Sequence, residues 1–145
     1  MSEIKVIGVL GAGQMGGGIA QVAAATGYHV LLADVDLDRA TAGKSKIGKS
    51  LQRRVDKGKA SQADADAIME RITPVASVAD FAKADFAVEA ATENIDLKKK
   101  LFRAMDEALP AGKILASNTS SISITLLAAE TSRPELVMGM HFMNP

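Results

Sequence analysis

The sequence predicts an α/β domain: a doubly wound, mainly parallel sheet with a helical hairpin inserted after the second strand. Three observations carry that prediction. Short runs rich in Val, Ile, Leu and Ala alternate with helix-patterned segments, as happens when crossover helices join parallel strands. The first run, residues 4–10, is apolar on consecutive positions, as a strand covered on both faces requires. It breaks into Gly11-Ala12-Gly13-Gln14-Met15-Gly16 and continues as a small-residue helix. A G-x-G-x-x-G turn between strand and helix marks a Rossmann-like fold.

Each element follows in order. A helix is predicted over 14–26, with Met15, Ile19, Val22 and Ala23 facing inward and Gly27 as its C-terminal cap. Residues 29–33 form the second strand, with Asp34 at its end and Asp36 capping the next helix. The plain alternation then breaks. Leu37, Ala40, Ile47, Leu51 and Val55 recur at helical spacing, so a long helix spans about 37–57 and Gly58 closes it. Ser61 caps a shorter helix carrying Ile68, Met69 and Ile72. The inserted hairpin thus covers about 37–72. Residues 72–76 form a short strand, placed near a sheet edge by Pro74. A further strand covers 85–91, and Asn94 caps a helix over about 95–109, with Leu101, Phe102, Met105 and Leu109 inward. Pro110 and Gly112 end it. A strand at 113–116, a short helix around 123–129 and a last strand at 135–142 complete the domain.

Composition narrows the function. At 145 residues the chain suits one domain with a real core. Hydrophobic residues make up 48% and aromatics only 3%, a globular rather than disordered balance. Lys+Arg and Asp+Glu number 17 each, so no overall field points to nucleic acid or a membrane. The absence of Cys excludes disulfides and thiolate metal sites and fits a reducing compartment; no metal site is predicted. No signal-peptide pattern opens the chain, and no apolar run approaches the roughly 20 residues of a membrane helix. A cytoplasmic location is expected.

The glycines have separate tasks. Gly11 allows the tight turn, Gly13 lets the backbone approach a pyrophosphate, and Gly16 lets the helix pack closely, its first N–H groups facing the anion. Asp34 lies 18 residues beyond Gly16, close to where an acidic residue takes the adenosine ribose hydroxyls. A carboxylate there repels a 2′-phosphate, so NAD is favoured over NADP. Open α/β sheets bind ligands beyond the carboxyl ends of their strands. At those ends stand Glu93, the polar run 117–121 and His141. Glu93 by itself reads as a helix-start carboxylate, the serine run as a capping loop and His141 as a structural histidine. As one rim they suit proton transfer from an alcohol, for which an imidazole is well matched. The residues alone therefore point to a nicotinamide-dependent alcohol or hydroxy-acid dehydrogenase. Between 44 and 59 there are seven basic residues against one acid, Asp56. Such a run is usually a solvated helix face, though it also concentrates positive charge beside the nucleotide site.

Four motifs carry a resemblance to a known family. They are residues 11–16, Glu89-Ala-Ala-Thr-Glu-Asn94 with Lys98, Ser117-Asn-Thr-Ser-Ser-Ile-Ser-Ile-Thr125, and Gly139-Met-His-Phe-Met-Asn-Pro145. With them the chain resembles the 3-hydroxyacyl-CoA dehydrogenases, most nearly the bacterial 3-hydroxybutyryl-CoA type, over its whole length. The resemblance implies NAD-dependent, reversible oxidation of an L-3-hydroxyacyl-CoA. It implies that Gly11, Ala12, Gly13, Gln14, Met15 and Gly16 carry the pyrophosphate and Asp34 the ribose. Glu93, Lys98 and Ser120 would contact the nicotinamide end. Ser120 would also meet the acyl-CoA near its reacting oxygen, and His141 would be the general base. Ser50 and Lys57 match CoA-contacting positions, which gives the basic run a phosphorylated partner and leaves its other members as a solvated face.

The family pattern continues past Pro145 with a glutamate that pairs with the histidine and a helical C-terminal domain that usually forms the dimer. Both lie outside this sequence. An imidazole without its orienting carboxylate loses tautomer control, so this chain is expected to bind NAD but to turn over poorly. Two other readings are open at this point: a related hydroxy-acid or sugar-acid dehydrogenase acting without CoA, and a non-catalytic NAD-binding module. The basic run with Ser50 and Lys57 weighs against the first. The missing glutamate and second domain favour the second as a description of this chain.

Overall fold

The computed structural model describes residues 3–141. Six parallel strands form one sheet in the order β3-β2-β1-β4-β5-β6. They are β1 Val6–Leu10, β2 His29–Ala33, β3 Ile72–Val75, β4 Phe86–Glu89, β5 Ile114–Ser117 and β6 Val137–Gly139. The helices are α1 Gln14–Thr26, α2 Leu37–Asp56, α3 Gln62–Glu70, α4 Ile95–Ala108 and α5 Ile124–Ala128.

Neighbouring residues of one strand feed opposite layers, because side chains alternate across a pleated sheet. Val9 packs with Ile19, Val30, Ile47 and Ile72 on the side of α1, α2 and α3. Leu10 packs with Phe81, Phe102, Met105 and Leu115 on the side of α4 and α5. Both layers are needed to cover a parallel sheet, which explains the near-continuous apolar strands.

Most helix boundaries follow their capping residues. The side chains of Asp36, Ser61, Asn94 and Ser123 each accept a hydrogen bond from a backbone N–H in the first turn of α2, α3, α4 and α5. Gly27, at φ 114°, closes α1 as predicted.

Several expectations need correction. Val22 is 56% exposed rather than inward, although the helical period of α1 counts it with the apolar face. Ile72 opens β3 instead of continuing α3, because Arg71 already ends the helix and Ile72 pairs with Val30. The last strand is only Val137–Gly139. Pro134, which has no N–H to give to a sheet, starts a 3-10 turn over Pro134–Leu136, and Phe142 lies outside the described residues. An unpredicted 3-10 helix, Val78–Lys83, links β3 to β4 and buries Phe81 beneath Gly8, where a Cβ would approach the ring within 2.9 Å.

The chain runs from β1 outward to β2 and β3, then crosses to β4, β5 and β6 on the other side. Leu10 pairs with both Ala33 and Glu89. The carboxyl ends of β2, β1 and β4 therefore meet where the strand order reverses. That is where an open α/β sheet presents a crevice.

Candidate cofactor cleft and reaction rim

The glycine turn occupies this reversal point. Gly11 adopts φ 113°, and its N–H donates to the Ala33 carbonyl at 2.8 Å. A Cβ there would lie 2.6 Å from the Ala90 carbonyl oxygen. A Cβ on Gly16 would overlap the Gly11 carbonyl oxygen. Both glycines are therefore required by the protein itself. Gly13 differs, because a Cβ on it would meet no protein atom within 4 Å. The fold leaves Gly13 room, so its bare backbone suits an approaching ligand.

Three further features fit an anionic dinucleotide. Gly13 supplies no side-chain cap to α1, so the N–H groups of that first turn keep their capacity for an anion. Asp34 Oδ2 accepts from the Ala12 N–H and Oδ1 from the Val35 N–H, both at 2.7 Å. Each carboxylate oxygen retains a further acceptor site, enough for two ribose hydroxyls. Asp34 also faces a cleft of about 490 Å³ whose walls include Gly11, Gly13, Val35, Val78 and Leu101. Apolar walls beside one carboxylate suit an adenosine. Arg39, from the first turn of α2, shares this cleft.

The other half of the rim is held by a closed ring of polar groups. Lys98, fully buried on α4, donates to Glu89 Oε2 at 2.5 Å and to the Ala91 carbonyl at 3.1 Å, and pairs with Glu93 Oε1 at 3.3 Å. Glu89 Oε1 accepts from Ser117 Oγ at 2.6 Å, and Ser117 Oγ accepts from the Thr119 N–H at 3.2 Å. Thr119 Oγ1 and Ser121 Oγ both donate to Glu93 Oε2. Burial opposes ionisation of Glu93, but the hydroxyls of Ser121 and Thr119 and the Lys98 ammonium outweigh it, holding its carboxyl below the ordinary value.

The sequence-predicted residues divide into three places. Gly11, Ala12, Gly13 and Asp34 converge on the reversal point, with Gln14 and Met15 opening α1 behind them. Glu93 joins the ring at the rim, while Lys98 lies beneath it with its ammonium engaged by Glu89, Ala91 and Glu93. Ser120 is exposed in the loop after β5, and its hydroxyl has no hydrogen-bond partner among the described residues. His141 is exposed two residues after β6, the strand paired with β5. The Met140 N–H ties that end to the Ser117 carbonyl at 2.8 Å. Ser120 and His141 thus follow adjacent strands at the same end of the sheet.

On α2, half-buried Ser50 lines a groove with Lys46, Arg54 and the glycine turn, whereas Lys57 is the exposed C-cap residue. In the sequence Lys46 and Arg54 read only as solvated face. Their i±4 spacing from Ser50 was the available signal. Glu89 and Arg39 were likewise missed as site residues; Glu89 reads as the last residue of an apolar strand, and its burial is visible only in three dimensions. Among the described residues no three metal-ligand side chains cluster, and no helix is long and apolar enough to cross a membrane.

A family model described as 3-hydroxyacyl-CoA dehydrogenase, NAD binding domain, matches residues 6–145. The chain belongs to that family. Its cofactor is accordingly NAD. Proteins named as 3-hydroxyacyl-CoA dehydrogenases of several kinds resemble it along its length. A Bacillus subtilis protein named a probable 3-hydroxybutyryl-CoA dehydrogenase is 46% identical over 143 residues, 99% of this chain and 50% of that protein. The Escherichia coli 3-hydroxyadipyl-CoA dehydrogenase is 41% identical over 145 residues, all of this chain and 30% of that protein. The crystal structure of (S)-3-hydroxybutyryl-CoA dehydrogenase from Ralstonia eutropha matches with a TM-score of 0.95 at 43% identity, over 99% of this chain and 50% of that one. The chain spans about half the length of the 3-hydroxybutyryl-CoA dehydrogenases it matches.

Proposed function

We propose that this chain is the NAD-binding part, residues 1–145, of an L-3-hydroxyacyl-CoA dehydrogenase of 3-hydroxybutyryl-CoA type, acting with a helical C-terminal domain through which the whole enzyme dimerises. The observation that carries the reading is Gly13, whose backbone is bare although the protein gives it room for a side chain. It stands between the uncapped start of α1 and Asp34.

The turn formed by Gly11, Ala12, Gly13, Gln14, Met15 and Gly16 holds the pyrophosphate, and Asp34 holds the adenosine ribose. When bound, NAD supplies the acceptor for the hydride that leaves the substrate's C3. Glu93 and Ser120 face the nicotinamide half, with Lys98 acting behind Glu93. Ser120 offers its hydroxyl to the substrate oxygen. His141 takes the 3-hydroxyl proton as the hydride departs, and returns it in the reverse reaction. Imidazole suits this task because it exchanges protons near neutrality. Ser50 and Lys57 contact the CoA, and the positive face of α2 accommodates its phosphates. The reaction belongs to fatty-acid and butanoate metabolism and has a cytoplasmic setting.

Calorimetric titration with NAD+, NADP+ and acetoacetyl-CoA tests the binding reading. NAD+ should bind well ahead of NADP+, and Ser50→Ala or Lys57→Ala should weaken acetoacetyl-CoA alone. Equal affinity for the two dinucleotides would remove the ribose assignment. NADH oxidation by acetoacetyl-CoA tests the chemistry: this chain should turn over poorly alone and recover activity when mixed with its separately made C-terminal domain. Near-normal turnover by residues 1–145 would show that the orienting glutamate and second domain are unnecessary.

A further inference from the structure

Glu89 is not given a role by the reaction, yet it is the most enclosed carboxylate at the rim, with no exposed surface. Its two oxygens serve different elements. Oε2 accepts from the Lys98 ammonium and from the Ala91 N–H at 2.6 Å, and Oε1 accepts from Ser117 Oγ. Lys98 continues to Glu93, and Ser117 continues to the Thr119 N–H, whose hydroxyl returns to Glu93. The circuit therefore closes on Glu93, whose side chain is 45% exposed while those of Lys98 and Glu89 are 1% and 0% exposed. Two carboxylates surround one ammonium, so the ring keeps one negative charge. The exposed member is the one that presents it.

We propose that Glu89 is a positioning residue that sets the oxidation-state preference of the cofactor site. By occupying the Lys98 ammonium from below, it leaves the Glu93 carboxylate undercompensated at the rim, where a cationic nicotinamide ring is favoured over its neutral reduced form. The proposal rests on the NAD-binding reading and on the nicotinamide half lying over the β4–β5 side of the crevice, opposite Asp34 on β2. In that arrangement the buried pair has a function beyond stability, which buried ion pairs often fail to provide. The serine and threonine links fix the geometry, since a carboxylate with three donors has little freedom to turn away.

The test is Glu89→Gln, which keeps the shape but no longer carries charge; its amide oxygen can accept from the Lys98 ammonium and the Ala91 N–H while its NH2 donates to Ser117 Oγ. Lys98 then compensates Glu93 in full. Affinities for NAD+ and NADH are measured by calorimetry on wild type, Glu89→Gln, Glu93→Gln and the double variant, with melting temperatures alongside. Relative to NADH, NAD+ should bind about three- to tenfold less well in Glu89→Gln, the scale of one unit charge acting through a partly solvated medium. Glu93→Gln should shift the ratio similarly, and the double variant, which leaves the Lys98 ammonium with neither carboxylate, should shift it further in the same direction. Equal weakening of both cofactors, with a lowered melting temperature, would make Glu89 merely structural and overturn the proposal. An unchanged ratio in Glu93→Gln would overturn it even if Glu89→Gln failed to fold. Failure of the wild type to bind either dinucleotide would instead defeat the NAD-binding reading, and the proposal with it.

Discussion

The carboxylate of Asp34 accepts a 2.7 Å hydrogen bond from the backbone N–H of Ala12, joining the end of β2 to the glycine turn after β1. One side chain therefore shapes the glycine turn and, in the proposed site, also presents acceptors to the ribose. Asp34→Arg loses both, and it adds a second guanidinium to the cleft that Arg39 already lines. NAD+ affinity should fall by about tenfold or more, given ~1.5–3 kcal/mol for a hydrogen bond to a charged group. Discrimination against NADP+ should narrow or reverse. Competitive calorimetry with the two dinucleotides reads both effects.

Gly13 and Gly16 should respond oppositely to alanine. Gly13→Ala places a methyl where no protein atom lies within 4 Å, so the melting temperature should hold while NAD+ binding drops by an order of magnitude or more. In Gly16→Ala the methyl overlaps the Gly11 carbonyl, so the fold itself should suffer. Thermal melts with and without NAD+ separate a glycine kept for the ligand from one kept for the chain.

Gly43 places the hairpin directly on the glycine turn. A Cβ there would lie 2.5 Å from Ala12 Cβ and 2.8 Å from the Ala12 carbonyl oxygen. Neither neighbour can swing aside, because Ala12 has no flexible end and its N–H is bonded to Asp34. Gly43→Ala should destabilise the domain by about 1–3 kcal/mol, the usual cost of overpacking. It should also weaken NAD+ binding, since α2 would press on Ala12. Denaturant melts and NAD+ titration check the two parts.

Arg133 fastens the end of α4 to the segment before β6. Its guanidinium donates to Asp106 Oδ1 and to the carbonyls of Asp106, Leu109, Pro110 and Lys113. Burial opposes ionisation of Asp106, but the Ser132 N–H, Arg133 and the Ser132 hydroxyl outweigh it and hold its carboxyl below the ordinary value. Arg133→Met should cost about 3–5 kcal/mol near neutral pH, as for a buried pair deprived of one partner. A carboxyl with a depressed folded-state pKa gives stability that is complete above its unfolded value and lost as pH falls through the folded one. The gap between wild type and variant should therefore narrow as pH falls below about 4, without vanishing, because the carbonyl hydrogen bonds of Arg133 do not titrate. Urea melts across pH 2.5–7 would show whether it does.

Much of this molecule could be read before it was seen, for a local reason. Gly27, Asp36, Ser61, Asn94 and Ser123 mark helix ends by chemistry that acts within four residues. Asp34 was legible because its distance from the glycines is fixed by one βαβ unit. What stayed hidden depends on long-range contact. Glu89 meets Ser117 28 residues away, and the 3-10 helix that buries Phe81 against Gly8 has no helical period to announce it. Lys98 is the sharpest case: resemblance assigns it to the cofactor, and only the structure reveals that its ammonium is held beneath the rim by Glu89, Ala91 and Glu93.

Four of the five α-helices begin with a side chain that satisfies their first turn, and α1 begins with glycine. The first turn of α1 thus has no side-chain cap of its own, and in the proposed site the dinucleotide supplies the anion that takes its place. Dinucleotide binding should accordingly be a term in the folding equilibrium: at a hundred times its dissociation constant a ligand adds about 2.7 kcal/mol to stability. Supply of the nucleotide would then govern how long the protein survives as well as how fast it works.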